Sequence, residues 1–235
     1  MQLALQLDGR QARFAEVDRR LRRHYSPPGP WLRLDPVSQL VLGMVGGRTY
    51  EADSRRAFLA LCDRYRGWER LRDAPLADLR EAIEAVTYAE VKARRLKDAL
   101  AAVTRRRGSL TLDFLAAWPV EAALAWLESL PGVGRKTAAA TLNFSTLRMP
   151  ALVIDTHHLR VLRRLGLAGP RATLPDAYDR VVPYLPTQWQ AEDFDAHHQR
   201  MKTLGQDVCS HAEPTCGLCI LRDLCPSAAL IGKTD

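Results

Sequence analysis

The chain has 235 residues, 47% of them hydrophobic and 26% charged, proportions that exclude a disordered, collagenous or disulfide-scaffold protein. At this length about 70% of the unfolded surface can be buried, so one or two domains need no disulfide to hold a core. The 34 basic against 27 acidic residues leave a formal charge of +7, which favours a polyanionic partner. Only five of those cations are lysines, so a lysine in an unusual place carries information. No apolar run approaches the ~20 residues of a membrane span, and the polar and acidic groups near Met1 come too early for a secretory core; a cytoplasmic protein without membrane attachment is expected.

Apolar residues recur at helical spacing along most of the chain and alternating β-branched runs are nearly absent, which predicts an all-α fold. A first amphipathic helix around Phe14 to Leu21 ends in Ser26-Pro27-Pro28-Gly29-Pro30, where three prolines and a glycine stop it. Asp35-Pro36 offers an N-cap and a first-turn proline for a helix running to about Met44 and closing at Gly46-Gly47. Further helices are predicted at roughly 51–65, 75–86, 88–106, 119–129 and 135–145. The run Arg105-Arg106-Arg107-Gly108 closes one of them with charge that suits the helix dipole. Cys62, beside Leu59 and Leu61, reads as a buried core thiol.

Three constellations carry chemistry. Cys209, Cys216, Cys219 and Cys225 are separated by six, two and five residues, a spacing that suits a metal cage of either zinc or iron–sulfur type. In Leu130-Pro131-Gly132-Val133-Gly134-Arg135-Lys136-Thr137-Ala138, proline ends one helix, two glycines permit a tight turn, and a new helix begins with its amides and positive dipole end outward. Such a helix-hairpin-helix grips DNA backbone through main-chain N–H groups and reads no sequence. In Val153-Ile154-Asp155-Thr156-His157-His158-Leu159-Arg160, Asp155 caps a helix with an apolar face of Leu159, Leu162 and Leu165 that ends at Gly166. The doubled histidines 157-158 and 197-198 point in divergent directions on a helix and suit capping, packing or phosphate contact better than chelation of one ion.

In this order the three pieces resemble the endonuclease III family of DNA glycosylases within the helix-hairpin-helix superfamily. The resemblance implies two helical domains, a six-helix domain over residues 36–148 and an iron–sulfur cluster domain joining 1–35 with 149–235, and a DNA-binding groove between them. It implies Lys136 as the nucleophile, Asp155 as its carboxylate partner, and a [4Fe-4S] cluster on the four cysteines. DNA contacts are implied for Leu130, Gly132, Val133, Gly134, Arg135, Thr137, Arg48 and His157. The partner implied is double-stranded DNA containing damaged bases or abasic sites, met by a monomer associated with the nucleoid.

The main departure from the family concerns the residue that fills the gap left by a flipped nucleotide. Where the family has a glutamine, the stretch Met44-Val45-Gly46-Gly47-Arg48-Thr49-Tyr50-Glu51 has none, and Arg48 falls about where the plug belongs. The leading expectation is a bifunctional glycosylase and abasic-site lyase acting on oxidised pyrimidines. A lyase or mismatch (thymine or uracil) glycosylase weak on oxidised bases is the second, and a non-catalytic DNA-binding paralogue the third. The loosely matching segment Tyr88-Ala89-Glu90-Val91-Lys92-Ala93 receives no catalytic role.

Overall fold

A computed structural model describes residues 2–26, 29 and 32–231. The stop predicted at Pro27, Pro28 and Pro30 lies outside the described residues. The helices in chain order are α1 (Gln2–His24), α2 (Pro36–Gly46), α3 (Glu51–Tyr65), α4 (Trp68–Asp73), α5 (Leu76–Ala82), α6 (Ala89–Arg107), α7 (Val120–Glu128), α8 (Arg135–Phe144), α9 (Thr156–Arg164), α10 (Leu174–Val181), α11 (Ala191–Asp207) and α12 (Ala228–Ile231). Short 3-10 turns join several of them, and no strand occurs among the described residues. The fold is all-α. No described helix is long and apolar enough to cross a membrane.

The chain divides into two compact units, one contiguous over Leu32–Ala151 and one formed by Met1–Trp31 with Leu152–Asp235. In the contiguous unit α2 is the central element. Asp35 caps it by accepting from the amides of Val37 and Ser38 at 3.0 Å each, with Pro36 supplying a helical φ at no cost in hydrogen bonds. Its Leu40, Val41 and Val45 are fully buried, and it packs on α3, α6 and α8. Around that centre α4 and α5 pack on α6, and α7 on α8.

Two local expectations meet corrections. The helix expected over 75–86 ends at Ala82 and continues as turns. Cys62 is only partly buried, and Leu59 beside it is 53% exposed, because the buried stripe of α3 runs through Ser54, Ala57, Phe58, Leu61 and Tyr65 instead.

In the second unit α9 packs on α11 and α10, and α1 packs on α11. Its interior is partly polar. His158, His197 and His198 are buried in a row with ring centroids 5.4 and 5.9 Å apart. Each has a fixed partner: His197 meets Asp18 of α1 at 2.8 Å, while His158 and His198 both meet the carbonyl of Val153, at 3.1 and 2.8 Å. A carbonyl can only accept, so both imidazoles carry their proton on Nδ1.

Candidate functional site

In the contiguous unit the hairpin between α7 and α8 is built by two buried anchors and two exposed glycines. Leu130 and Val133 are 2% and 6% exposed, and the Val133 amide donates to the Leu130 carbonyl at 3.2 Å, so the hairpin tip is tied to the core. Gly132 has φ 76°, and a Cβ there would stand 2.7 and 2.8 Å from Cδ and Cβ of Arg95. Glycine is therefore required twice, for the left-handed backbone and for the close approach. No side chain caps α8 at Gly134, so the positive end of its dipole is directed past an exposed residue without a Cβ. With their side chains buried, Leu130 and Val133 can offer DNA only their main chain.

Lys136 and Thr137 lie half-buried in the first turn of α8. Arg135, beside them, is ion-paired through Nε to Glu128 of α7 at 2.7 Å. That pair fastens one helix of the hairpin to the other and reduces the charge Arg135 can lend to a phosphate or to its lysine neighbour. Thr137 packs its methyl group towards Gly43 of α2, where an added Cβ would meet it at 3.0 Å. The start of α8 is thus seated on α2.

At the end of α2 the turn to α3 carries Arg48, which is exposed and has φ 55°. This turn is not the loose linker that Gly46-Gly47 would make alone. Nζ of Lys92 on α6 donates to the Val45 carbonyl at 2.7 Å and to Thr49 Oγ1 at 2.8 Å. The same hydroxyl accepts from the amide of Thr87 at 3.2 Å. Burial pushes the Lys92 ammonium down to about 8.

In the second unit Asp155 caps α9, its Oδ1 accepting from the His158 amide at 2.8 Å. The backbone two residues before it is fixed as well, since the Val153 carbonyl is gripped by two buried imidazoles. His157 is half-buried, with Nδ1 3.2 Å from Nη2 of Arg160. Gly205 of α11 lies against it so closely that a Cβ would come within 2.9 Å of the His157 Cβ. Arg160 also donates through Nε to the Cys209 carbonyl at 2.8 Å.

All four cysteines of the 6-2-5 spacing line one hollow, together with Arg164, Val208, Pro214, Arg222 and Ala228. Arg164 fastens the first of them, donating to Cys209 Sγ at 3.2 Å and to the carbonyls of Ser210 and His211 at 2.7 and 3.1 Å. Burial pushes the Cys219 and Cys225 thiols up, and the neighbouring sulfurs add to it. Among the described residues no three His, Cys, Asp or Glu side chains converge closely enough to hold a single metal ion. A hollow shared by four thiols has the donor set of a four-thiolate cluster that spans them.

Lys136, the hairpin and Arg48 therefore fall in one unit, and Asp155, His157 and the four cysteines in the other. Reading the sequence missed Lys92, Glu128 and Arg164. The scarcity of lysine was the available signal for the first. The other two look like ordinary helix charges, and only tertiary structure reveals their partners.

Residues 48–180 match the HhH-GPD superfamily of base excision DNA repair proteins. Within it, endonuclease III of Treponema pallidum is 35% identical over 74% of this chain and 69% of its own length. Endonuclease III of Synechocystis sp. is 28% identical over 96% and 97% of the two chains. The fold matches the solved structure of a trapped endonuclease III–DNA covalent intermediate with a TM-score of 0.74 at 23% identity, covering 99% of this chain and 98% of that one. The chain belongs to the endonuclease III family.

Proposed function

We propose that this protein excises oxidised pyrimidines from double-stranded DNA as a bifunctional glycosylase and abasic-site lyase, with Lys136 and Asp155 as its catalytic residues. The observation that carries the reading is the α7–α8 hairpin, a glycine turn anchored by buried Leu130 and Val133 that presents an uncapped helix start with Lys136 in its first turn. The exposed amides and dipole of that start hold the phosphate backbone through Gly132, Gly134 and Thr137, and the half-buried His157 adds a contact from its own unit. Binding so dominated by phosphates weakens steeply with salt.

The target atom is hidden in a duplex, so the nucleotide is first flipped out, at a cost of a few kcal/mol that damage reduces. Arg48 fills the space it leaves. Nζ of Lys136, as the neutral amine, attacks C1′ of the deoxyribose and gives up a proton as the bond forms. The bond from C1′ to the base breaks and its electron pair departs with the base, which takes up a proton. Positive charge develops on the sugar in this step, and the carboxylate of Asp155 stabilises it. The sugar ring opens to a Schiff base on Lys136, which acidifies the C2′ hydrogen. Loss of that proton expels the 3′ phosphate and nicks the strand by β-elimination.

Cys209, Cys216, Cys219 and Cys225 would hold the [4Fe-4S] cluster that the family generally contains, and when bound it cross-links the C-terminal turns as a structural staple. Serine at any of the four is expected to remove the visible absorbance of the purified protein. A colourless, zinc-bearing protein would overturn the assignment.

The deciding experiment is borohydride trapping on a duplex with one abasic site. A covalent adduct is expected from the wild type and none from Lys136→Gln. An adduct that persists in Lys136→Gln would withdraw the nucleophile, and no adduct from the wild type would favour a DNA clamp without chemistry. Arg48 at the plug position favours one second reading, a lyase or mismatch glycosylase weak on oxidised bases. Cleavage of thymine-glycol DNA compared with uracil and G·T duplexes separates the two.

A further inference from the structure

We propose that Lys92 is a positioning residue which, through Thr49, locks the turn between α2 and α3 so that the guanidinium of Arg48 is held out towards the gap left by a flipped nucleotide. The proposal rests on the role given to Arg48 under Proposed function. It adds the device that makes a flexible arginine on a double-glycine turn usable as a plug.

The geometry is specific. α2 ends at Gly46, and the Val45 carbonyl in its last turn takes its hydrogen bond from the ammonium of Lys92, which acts as a cap supplied from another helix. Thr49 Oγ1 is the second acceptor of the same ammonium and also accepts from the Thr87 amide. The turn is therefore pinned at residue 45 and again at residue 49, and Arg48 lies between the pins. Its backbone is held left-handed at φ 55°, a conformation disfavoured for a side chain with a Cβ and stable only where the surroundings over-determine it.

The choice of lysine is informative in a chain that otherwise uses arginine. Two acceptors converging on one point suit a compact ammonium with three rotatable donors, whereas a planar guanidinium fork would need them spread apart. Placing this amine here also has a cost. Burial depresses its basicity, so holding an ammonium at this place costs desolvation that its two hydrogen bonds must offset. An anchored turn offsets that cost if the turn must present its arginine in one direction, because ordering it before DNA arrives spares the entropy of ordering it on binding.

The test uses the full-length protein and a duplex carrying a tetrahydrofuran abasic analogue opposite 2-aminopurine, whose fluorescence rises when the orphaned base loses its stacking partner. Lys92→Met is expected to raise the fluorescence of the bound duplex and to weaken the preference for analogue over intact duplex by about tenfold, the scale of a lost charge-assisted hydrogen bond. Arg48→Ala is expected to do the same, and the double variant to be no worse than Arg48→Ala alone, since both act through one group. Thr49→Val, of nearly the same shape, keeps the question answerable if Lys92→Met does not fold.

Borohydride adduct formation at saturating protein should persist in Lys92→Met and in Thr49→Val, because Lys136 is untouched. Wild-type fluorescence and preference in both Lys92→Met and Thr49→Val, or additive effects with Arg48→Ala, would overturn the clamp while leaving the enzyme standing. No adduct and no preference from the wild type would overturn the enzymatic reading and the clamp together.

Discussion

On Asp155 a structural duty and the proposed chemical one fall to a single side chain and substitution separates them, whereas Gly132 has a structural duty alone. Asp155 caps α9 through Oδ1, and asparagine caps a helix about as well as aspartate. Asp155→Asn should therefore leave the melting temperature nearly unchanged while turnover falls roughly 100-fold or more, the range for losing one electrostatic contact to a transition state. Asp155→Ala should lose about 1 kcal/mol of stability in addition. Equal turnover of wild type and Asp155→Asn would reduce the residue to a cap. Gly132 has no chemical group, yet both its positive φ and its approach to Arg95 forbid a methyl. Gly132→Ala should cost about 2–4 kcal/mol, part from the backbone and part from overpacking. Adding Arg95→Ala should recover the packing part only, leaving about 1 kcal/mol, as read by urea denaturation of the two variants.

At the scale of elements, what the sequence revealed depended on whether the signal was local. α2, α3, α6, α7 and α8 were legible because each has a hydrophobic period and a turn residue at its end, as with Asp35-Pro36 before α2 and Gly108, at φ 77°, after α6. α4 was not, since six residues behind Gly67 are too few to display a period. α11 was not either, although it is 17 residues long. Its buried face includes Asp195, His197, His198 and Arg200, polar groups that erase the apolar stripe; Asp18, the Val153 carbonyl and the Tyr25 carbonyl partner the last three of them from elsewhere in the unit. The site divides in the same way. The hairpin, Asp155 and the cysteines are local patterns, whereas the Lys92 clamp and the Arg164 contact to Cys209 join residues more than 40 positions apart.

The buried histidine row under α9 gives a prediction at this scale. Burial, followed by the proximity of His197 and His198, pushes His158 well below its ordinary 6.5. The folded state thus resists a proton that the unfolded chain accepts, so below about pH 6.5 the unfolded state binds more protons and stability falls as the pH falls. Wild type should lose more stability between pH 7 and pH 5 than His158→Gln, which can still donate in that space but does not titrate. Parallel pH profiles in urea denaturation of the two proteins would show that the row does not act in this way.

For the whole molecule, the consequential feature is that one unit is contiguous and the other is closed by both ends of the chain. α1 brings Phe14, Val17 and Leu21, each at most 1% exposed, to the second unit. It also brings Asp18 to His197, and Arg20 to the Ile220 carbonyl and the Asp223 carboxylate, among the turns that hold Cys219 and Cys225. Burial of the three apolar side chains contributes on the order of 5–9 kcal/mol as an upper estimate, comparable with the ~5–15 kcal/mol that keeps an ordinary domain folded. Deleting residues 2–24 would in addition remove both Asp18 and Phe14 from His197, leaving that imidazole beside Trp189 and His158 without its carboxylate. The second unit should then lose cooperative unfolding, while the contiguous unit Leu32–Ala151 keeps its helices. Limited proteolysis reads this directly: the truncated protein should be cut throughout 152–231 and leave a resistant fragment close to 32–151. Equal resistance of both units after the deletion would mean that the C-terminal helices and the cysteine turns suffice without α1.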